Sequence, residues 1–280
     1  MKKFLAVFDG YKMSSSTFDY AIQLTKLAEA HLVGIFLNEF IYHSYNVYEI
    51  MTTYKDYEEV LKKLDAKDKE KREKAALEFQ RACEKEGVRF SIHKDKNIAI
   101  HELKRESMYA DLIIINESET FTRYKEELPT RFITDLLGDV QCPVLVVPSD
   151  FKPIDKIILL YDGAPAGLHA IKMFSYILGN PHNLPVEVFT VKEKKKQGLH
   201  VPDNKLMREF IKRHFPKAIF TVIKGDPELE ISNYLRKHPE NELVVLGAYQ
   251  RSELSRWFKM SMADILMEQL SMPLFIAHNK

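Results

Sequence analysis

Near the end of the chain an apolar run, Leu243-Val244-Val245-Leu246, stops on Gly247, and an amphipathic segment follows from about Ser261. A second apolar run, Pro273 to Ala277, closes it. Strand, turn, loop, helix and strand is how a parallel sheet builds its ligand-binding edge, with ligands beyond the carboxyl ends of the strands and near helix N-termini, where anions are favoured. Asp9-Gly10 and Asp162-Gly163 end two other apolar runs, and Gly225-Asp226-Pro227 follows a third. These residues suit non-covalent holding of a small ligand. Bond-making chemistry finds no matching set. The ten histidines include no HxxxH or HExxH and no ligand-spaced cluster with cysteine or carboxylate, so no metal site is expected. No GxSxG elbow, Walker A or dinucleotide fingerprint occurs, and no catalytic residue is assigned.

The elements that position these residues come in two sets. At 280 residues the chain suits two domains, each large enough to bury its own core. Ile157 to Gly163 matches Phe4 to Gly10 at an offset of 153 (157 − 4), and Leu243 to Leu246 matches Leu112 to Ile115 at 131 (243 − 112). The offset falls because the first copy holds extra helical material. The spacing predicts two βα repeats of five parallel strands each, over 1–149 and 154–280, joined by the proline-bearing segment Pro148 to Pro153.

Within the first repeat, Ser14 to Ser16 offer N-cap hydroxyls, and a charged helix from about Glu58 to Glu86 stops at Gly87. Its centre, Lys67 to Lys74, is charged almost all round and is expected to stand in solvent. Before it lies an aromatic stretch with Phe40, Tyr42, His43, Tyr45, Tyr48, Tyr54 and Tyr57. It has two readings, a cover filling a core edge or a lid over a ligand. Lys192 to Gln197 reads as a solvated loop, and Trp257-Phe258 beside Arg256 as packing on the neighbouring domain.

Charge and cysteine content narrow the function classes. Lys and Arg number 41 against 40 Asp and Glu, so no overall field draws nucleic acid or an acidic membrane. Cys83 and Cys142 lack CxxC spacing and read as structural thiols of a reducing compartment. The apolar start ends at Asp9-Gly10, too soon for a signal peptide, and no run is long enough to span a membrane. A soluble, cytoplasmic protein is expected.

Asp-Gly after the first strand, Gly after the fourth and a proline-led last strand together resemble the universal stress protein (UspA) family, and two copies resemble its tandem members. The resemblance implies α/β architecture: two tandem Usp-like domains, Rossmann-like and akin to the adenine nucleotide alpha hydrolases, each a five-stranded parallel sheet flanked by helices. ATP-binding members carry G-x2-G-x9-G-[ST] after strand four, where glycines let amides approach phosphate and the hydroxyl sits at a helix N-terminus. Here the second copy holds Gly247, Gln250, Met260 and Ser261; the first holds Asn116, Glu119 and either Pro129-Thr130 or Thr130-Arg131.

The resemblance therefore implies that the first copy does not hold ATP. Any adenine nucleotide would go to the second, at Asp162, Gly163, Gly225, Gly247 and Ser261, with Asp9 a weaker counterpart in the first. For Asp9 and Asp162 a plain turn-capping role stands equally open, as does a turn-plus-cap role for Gly225. The resemblance also implies that the last strands, 143–147 and 273–277, pair within the chain as they do across family dimers. A further homodimer and a protein partner are left open. The expected function is a non-catalytic stress-response protein that binds a small ligand and acts through partner contacts. The alternatives are a slow ATPase using the second cleft, and vestigial clefts with an interaction role only.

Overall fold

The computed structural model describes residues 1–11, 13–37, 45–95, 99–122, 124–180, 183–194, 198–237, 241–247 and 261–277. Phe40, Tyr42, His43, Lys195 to Gln197, Gln250, Arg256, Trp257, Phe258 and Met260 lie outside the described residues.

Contacts divide the chain into two compact units, Met1–Gln141 and Cys142–Lys280. In the first, β1 (Lys3–Phe8), β2 (His31–Leu37), β3 (Phe90–Asp95) and β4 (Leu112–Asn116) lie parallel in the order β3-β2-β1-β4. Helices α1 (Ser15–Ala28), α2 (Val47–Thr53), α3 (Tyr57–Glu86), α4 (Ala99–Ser107) and α5 (Arg131–Asp139) accompany them. Phe4 to Phe8 are fully buried, as a strand covered on both faces must be.

The second unit begins with β5 (Val144–Val147). Strands β6 (Lys156–Leu160), β7 (Val186–Lys192), β8 (Ile219–Lys224), β9 (Glu242–Gly247) and β10 (Leu274–Ala277) run parallel in the order β10-β9-β6-β7-β8. With them are α6 (Pro165–Ile177), α7 (Asn204–His214), α8 (Pro227–Lys237) and α9 (Met262–Gln269). Strand β5 is antiparallel to β10, with Leu274 opposite Val146, Phe275 opposite Leu145 and Ile276 opposite Val144. The expected pairing of the two last strands is thus present. It covers two apolar edges that would otherwise invite association. Among the described residues the first unit holds four strands and the second six, and no helix is long and apolar enough to cross a membrane.

Local signals placed the helix ends. Ser14 Oγ accepts the Thr17 N–H at 3.3 Å, Gly87 takes the left-handed conformation after α3, and Asp226 Oδ1 accepts the Leu229 N–H at 3.1 Å ahead of Pro227. Two expectations fail. The centre of α3 does not stand wholly in solvent, because Asp68 is only 3% exposed and Arg72 lies 4.6 Å from the Tyr11 ring centroid. Further along α3, Phe79 is fully buried and meets Phe8, Phe18, Phe36 and Phe90 at centroid distances of 5.7 to 6.1 Å. Gly34 makes room for it, since a Cβ there would fall 2.7 Å from the Phe79 ring. Held at that point, the helix brings its charged middle back over the end of β1.

The second failure concerns the tyrosines. Tyr48 and Tyr54 are 75% and 50% exposed rather than filling a core edge, α2 buries no residue, and Tyr45 donates to Asp65 at 2.5 Å.

At the other ends of the second unit's strands the sequence hid a buried ion cluster. Lys156 Nζ lies 2.7 Å from Glu187 Oε2 and 3.4 Å from Glu242 Oε1, and the Tyr234 hydroxyl donates to Glu187 at 2.8 Å. All three ionic residues are buried. Burial alone would push the Glu187 carboxyl up. Hydrogen bonds from Lys156, Thr221 and Tyr234, with the Lys156 charge, outweigh it and hold the carboxyl below its ordinary value of 4.5. Glu187 therefore adds stability in full above about pH 4.5, and this is lost as pH falls through its lower folded value.

Replacing Lys156 by Met strands two buried carboxylates. It should cost about 3–5 kcal/mol in urea unfolding at pH 7; a loss below ~1 kcal/mol would show that the cluster does not hold the strand ends.

Candidate functional site

Beyond the carboxyl ends of β6, β7 and β9 the second unit has a cleft of about 190 Å³. Strand β6 leads into it with Leu160, Tyr161 and Asp162, β7 gives Phe189 and Val191, and β9 gives Leu246 and Gly247. The starts of three helices complete it: Ala164, Ala166 and Gly167 at α6, Pro227 and Ile231 at α8, and Met262 at α9. Parallel strands force this convergence, because every strand-to-helix turn lies on the same edge of the sheet. Ligand pockets commonly measure about 300–1,000 Å³, so the described cleft has room for a ring system rather than an extended molecule.

The expected site residues separate into groups. Asp162 and Gly247 line the cleft, and Ser261 sits immediately before the lining residue Met262. Gly163 is in the turn itself, at φ +91°, where a Cβ would fall 2.7 Å from Pro202. Gly225 is buried in the turn before α8, its N–H bonded to the Lys192 carbonyl at 2.9 Å. A Cβ on Gly225 would meet the flexible Glu230 side chain. Gly247 is more tightly determined: its Cβ would fall 2.4 Å from the Ala166 carbonyl carbon and 2.7 Å from Gly167 N. Close approach of β9 to the first turn of α6 thus requires glycine at 247 whether or not a ligand binds.

At α8 and α9 the helix start is capped by a side chain, while α6 has no side-chain cap. Asp162 Oδ1 accepts the Ala164 N–H at 2.8 Å, and Pro165 brings no N–H to the first turn of α6. Asp226 caps α8, whose first position is also proline. At α9, Ser261 Oγ accepts the Asp264 N–H at 3.2 Å while Asp264 Oδ2 accepts the Ser261 N–H at 2.9 Å, a reciprocal capping box. The hydroxyl that the family resemblance assigns to phosphate is occupied as a helix cap. Buried Tyr161 senses the resulting charge: burial first, then the Asp203 and Asp162 carboxylates, raise its phenol above the ordinary value.

In the first unit, Asp9 makes the equivalent turn, its Oδ1 accepting the Tyr11 N–H at 2.8 Å. The connection to the helix differs. Five positions separate Asp9 from the N-cap Ser14, whereas two separate Asp162 from the N-cap Ala164, and the longer turn presents Tyr11. The Tyr11 hydroxyl donates to Asp68 at 3.3 Å and accepts from Arg72, whose guanidinium also lies over the ring. Burial pushes the Tyr11 phenol up to about 12, with Arg72 opposing. Helix α3 is therefore fastened across the place where β1 ends. After β4, Asn116 Oδ1 accepts from the Ser118 N–H at 3.0 Å and the Ser118 hydroxyl at 2.5 Å. Thr130 caps α5 through the Ile133 N–H at 3.2 Å and donates to the Glu119 carbonyl at 2.6 Å. Thr130 is thus the positional partner of Ser261, which resolves the one-residue slip in the motif alignment.

Reading the sequence missed Tyr11, Asp68, Arg72 and the Ala166–Gly167 peptide. The longer turn after Asp9 was the only signal for the first three, and none pointed to the last. Among the described residues no group of three or more His, Cys, Asp or Glu could hold a metal ion.

The Gly247 geometry predicts that Gly247→Ala loses about 1–3 kcal/mol of stability, as overpacking does, with no ligand present. Urea unfolding checks it, and an unchanged midpoint would return the glycine to a ligand-approach role.

No protein-family model matches the sequence, and no curated protein matches it either. Solved structures do match. A universal stress protein from Archaeoglobus fulgidus DSM 4304 aligns at TM-score 0.69 and 16% identity, over 99% of this chain and 98% of that one. A putative universal stress protein from Pseudomonas aeruginosa UCBPP-PA14 gives 0.62 and 14%, over 99% and 93%. A protein of unknown function from Pseudomonas aeruginosa PAO1 gives 0.61 and 12%, over 99% and 92%. At these identities the likeness is one of fold, and it extends along the whole chain: two Usp-like α/β repeats in tandem, the architecture of the universal stress proteins.

Proposed function

We propose that this chain works as a non-catalytic tandem universal stress protein. Its second unit holds a small ligand bearing an adenine-type ring, and it acts through contacts with a protein partner. The observation that carries the reading is the difference between the two strand-one ends. In the second unit Asp162 opens onto a cleft with an apolar floor of Phe189, Val191 and Ile231. In the first unit Tyr11, Asp68 and Arg72 close over the equivalent turn. On this reading the repeats are 1–149 and 154–280. Asp162 and Gly247 face the ligand, while Gly163, Gly225 and Ser261 shape the turns and helix start around it. Asp9 keeps only the turn role.

Thermal denaturation with adenosine, AMP and ATP, with and without magnesium, tests the reading. At least one should raise the Tm in proportion to the logarithm of its concentration. Val191→Trp, which fills the cleft, should abolish the shift; Arg72→Ala, in the first unit, should leave it unchanged. A shift that survives Val191→Trp would place the ligand elsewhere. Measurable release of phosphate from ATP that Val191→Trp removes would overturn the non-catalytic reading in favour of a slow ATPase.

A further inference from the structure

Resting on that reading, we infer that the second-unit cleft selects an uncharged nucleoside or nucleobase and disfavours the phosphorylated form. Three helix N-termini meet there, the usual attraction for phosphate, yet each is already supplied with a carboxylate: Asp162 at α6, Asp226 at α8 and Asp264 at α9. A helix start carries about half a positive charge, so a carboxylate at each opposes its attraction for phosphate. Glu230 adds another, its carboxylate lying against Gly225.

The first turn of α6 has no side-chain cap, and strand β9 covers it instead. Gly247 packs on the Ala166–Gly167 peptide, and Pro165 has no N–H to offer. The Ser261 hydroxyl is committed to Asp264. Among the described residues lining the cleft, Asp162 is the one charged side chain. A triphosphate would thus lose hydration and meet repulsion. A flat, neutral ring loses little and gains the apolar floor. The raised Tyr161 phenol, which feels Asp162 and Asp203 after burial, fits a negative mouth to the cleft.

Calorimetric titration of the full chain with adenosine and with magnesium-ATP, at one ionic strength, tests this. Adenosine should bind at least about tenfold tighter, a difference of ~1.4 kcal/mol. ATP binding as tightly or more tightly overturns the inference and leaves the reading of an adenine-type site standing. Failure of both at millimolar concentration overturns that reading, and the inference with it. Asp264→Asn keeps an oxygen for the Ser261 N–H and removes the charge. It should tighten ATP severalfold and leave adenosine unchanged; equal effects on both ligands, or none on either, would overturn the assignment to the helix-start carboxylates. Melting curves confirm that the variant is folded, and the wild-type comparison does not depend on it.

Discussion

The first turn of an α-helix presents N–H groups that must find acceptors, and a parallel sheet gathers several such turns at one edge. Everything about the candidate site depends on how that demand is met. A site built for phosphate leaves the amides open. In the second unit Asp226 and Ser261 each accept one first-turn amide, and Asp162 accepts the Ala164 N–H just ahead of α6. On the proposed reading, the carboxylates at these helix starts also change what the cleft can take.

The two repeats start from the same plan and spend their first turn differently. Both begin a strand with lysine beside an acidic residue at the start of a neighbouring strand, Lys3 with Asp111 and Lys156 with Glu242, and both end it on Asp-Gly. In the second unit the lysine sits among buried carboxylates; in the first, Lys3 meets a half-buried Glu106 that also binds His93 at 2.8 Å. After Asp9 the longer turn hands Tyr11 to α3, and a helix anchored by Phe79 holds it there. The extra helical material that separates the two sequence offsets is thus what closes the first repeat.

The antiparallel meeting of β5 and β10 lies within the second unit. Because both strands belong to one chain, their effective concentration is high and the pairing needs little affinity of its own. Buried Cys83 and Cys142 take no part in any disulfide; for Cys83, burial and then Glu84 raise the thiol to about 12, which makes it unreactive.

Periodicity and punctuation made the element order, the duplication and most helix ends legible, because these depend on neighbours a few residues apart. Ser14, Gly87 and Asp226-Pro227 act within one turn and can be read as they stand. What Gly247 touches, why Asp68 is buried and how Lys156 is shared by Glu187 and Glu242 could not be read, since each joins elements dozens of residues apart. The sequence by itself determined a doubled α/β chain with turn or cap residues at Asp9-Gly10, Asp162-Gly163, Gly225-Asp226 and Gly247. Only the tertiary structure decided which of those ends stays open, because sheet register and the anchoring of α3 set the distances between side chains that no local pattern encodes.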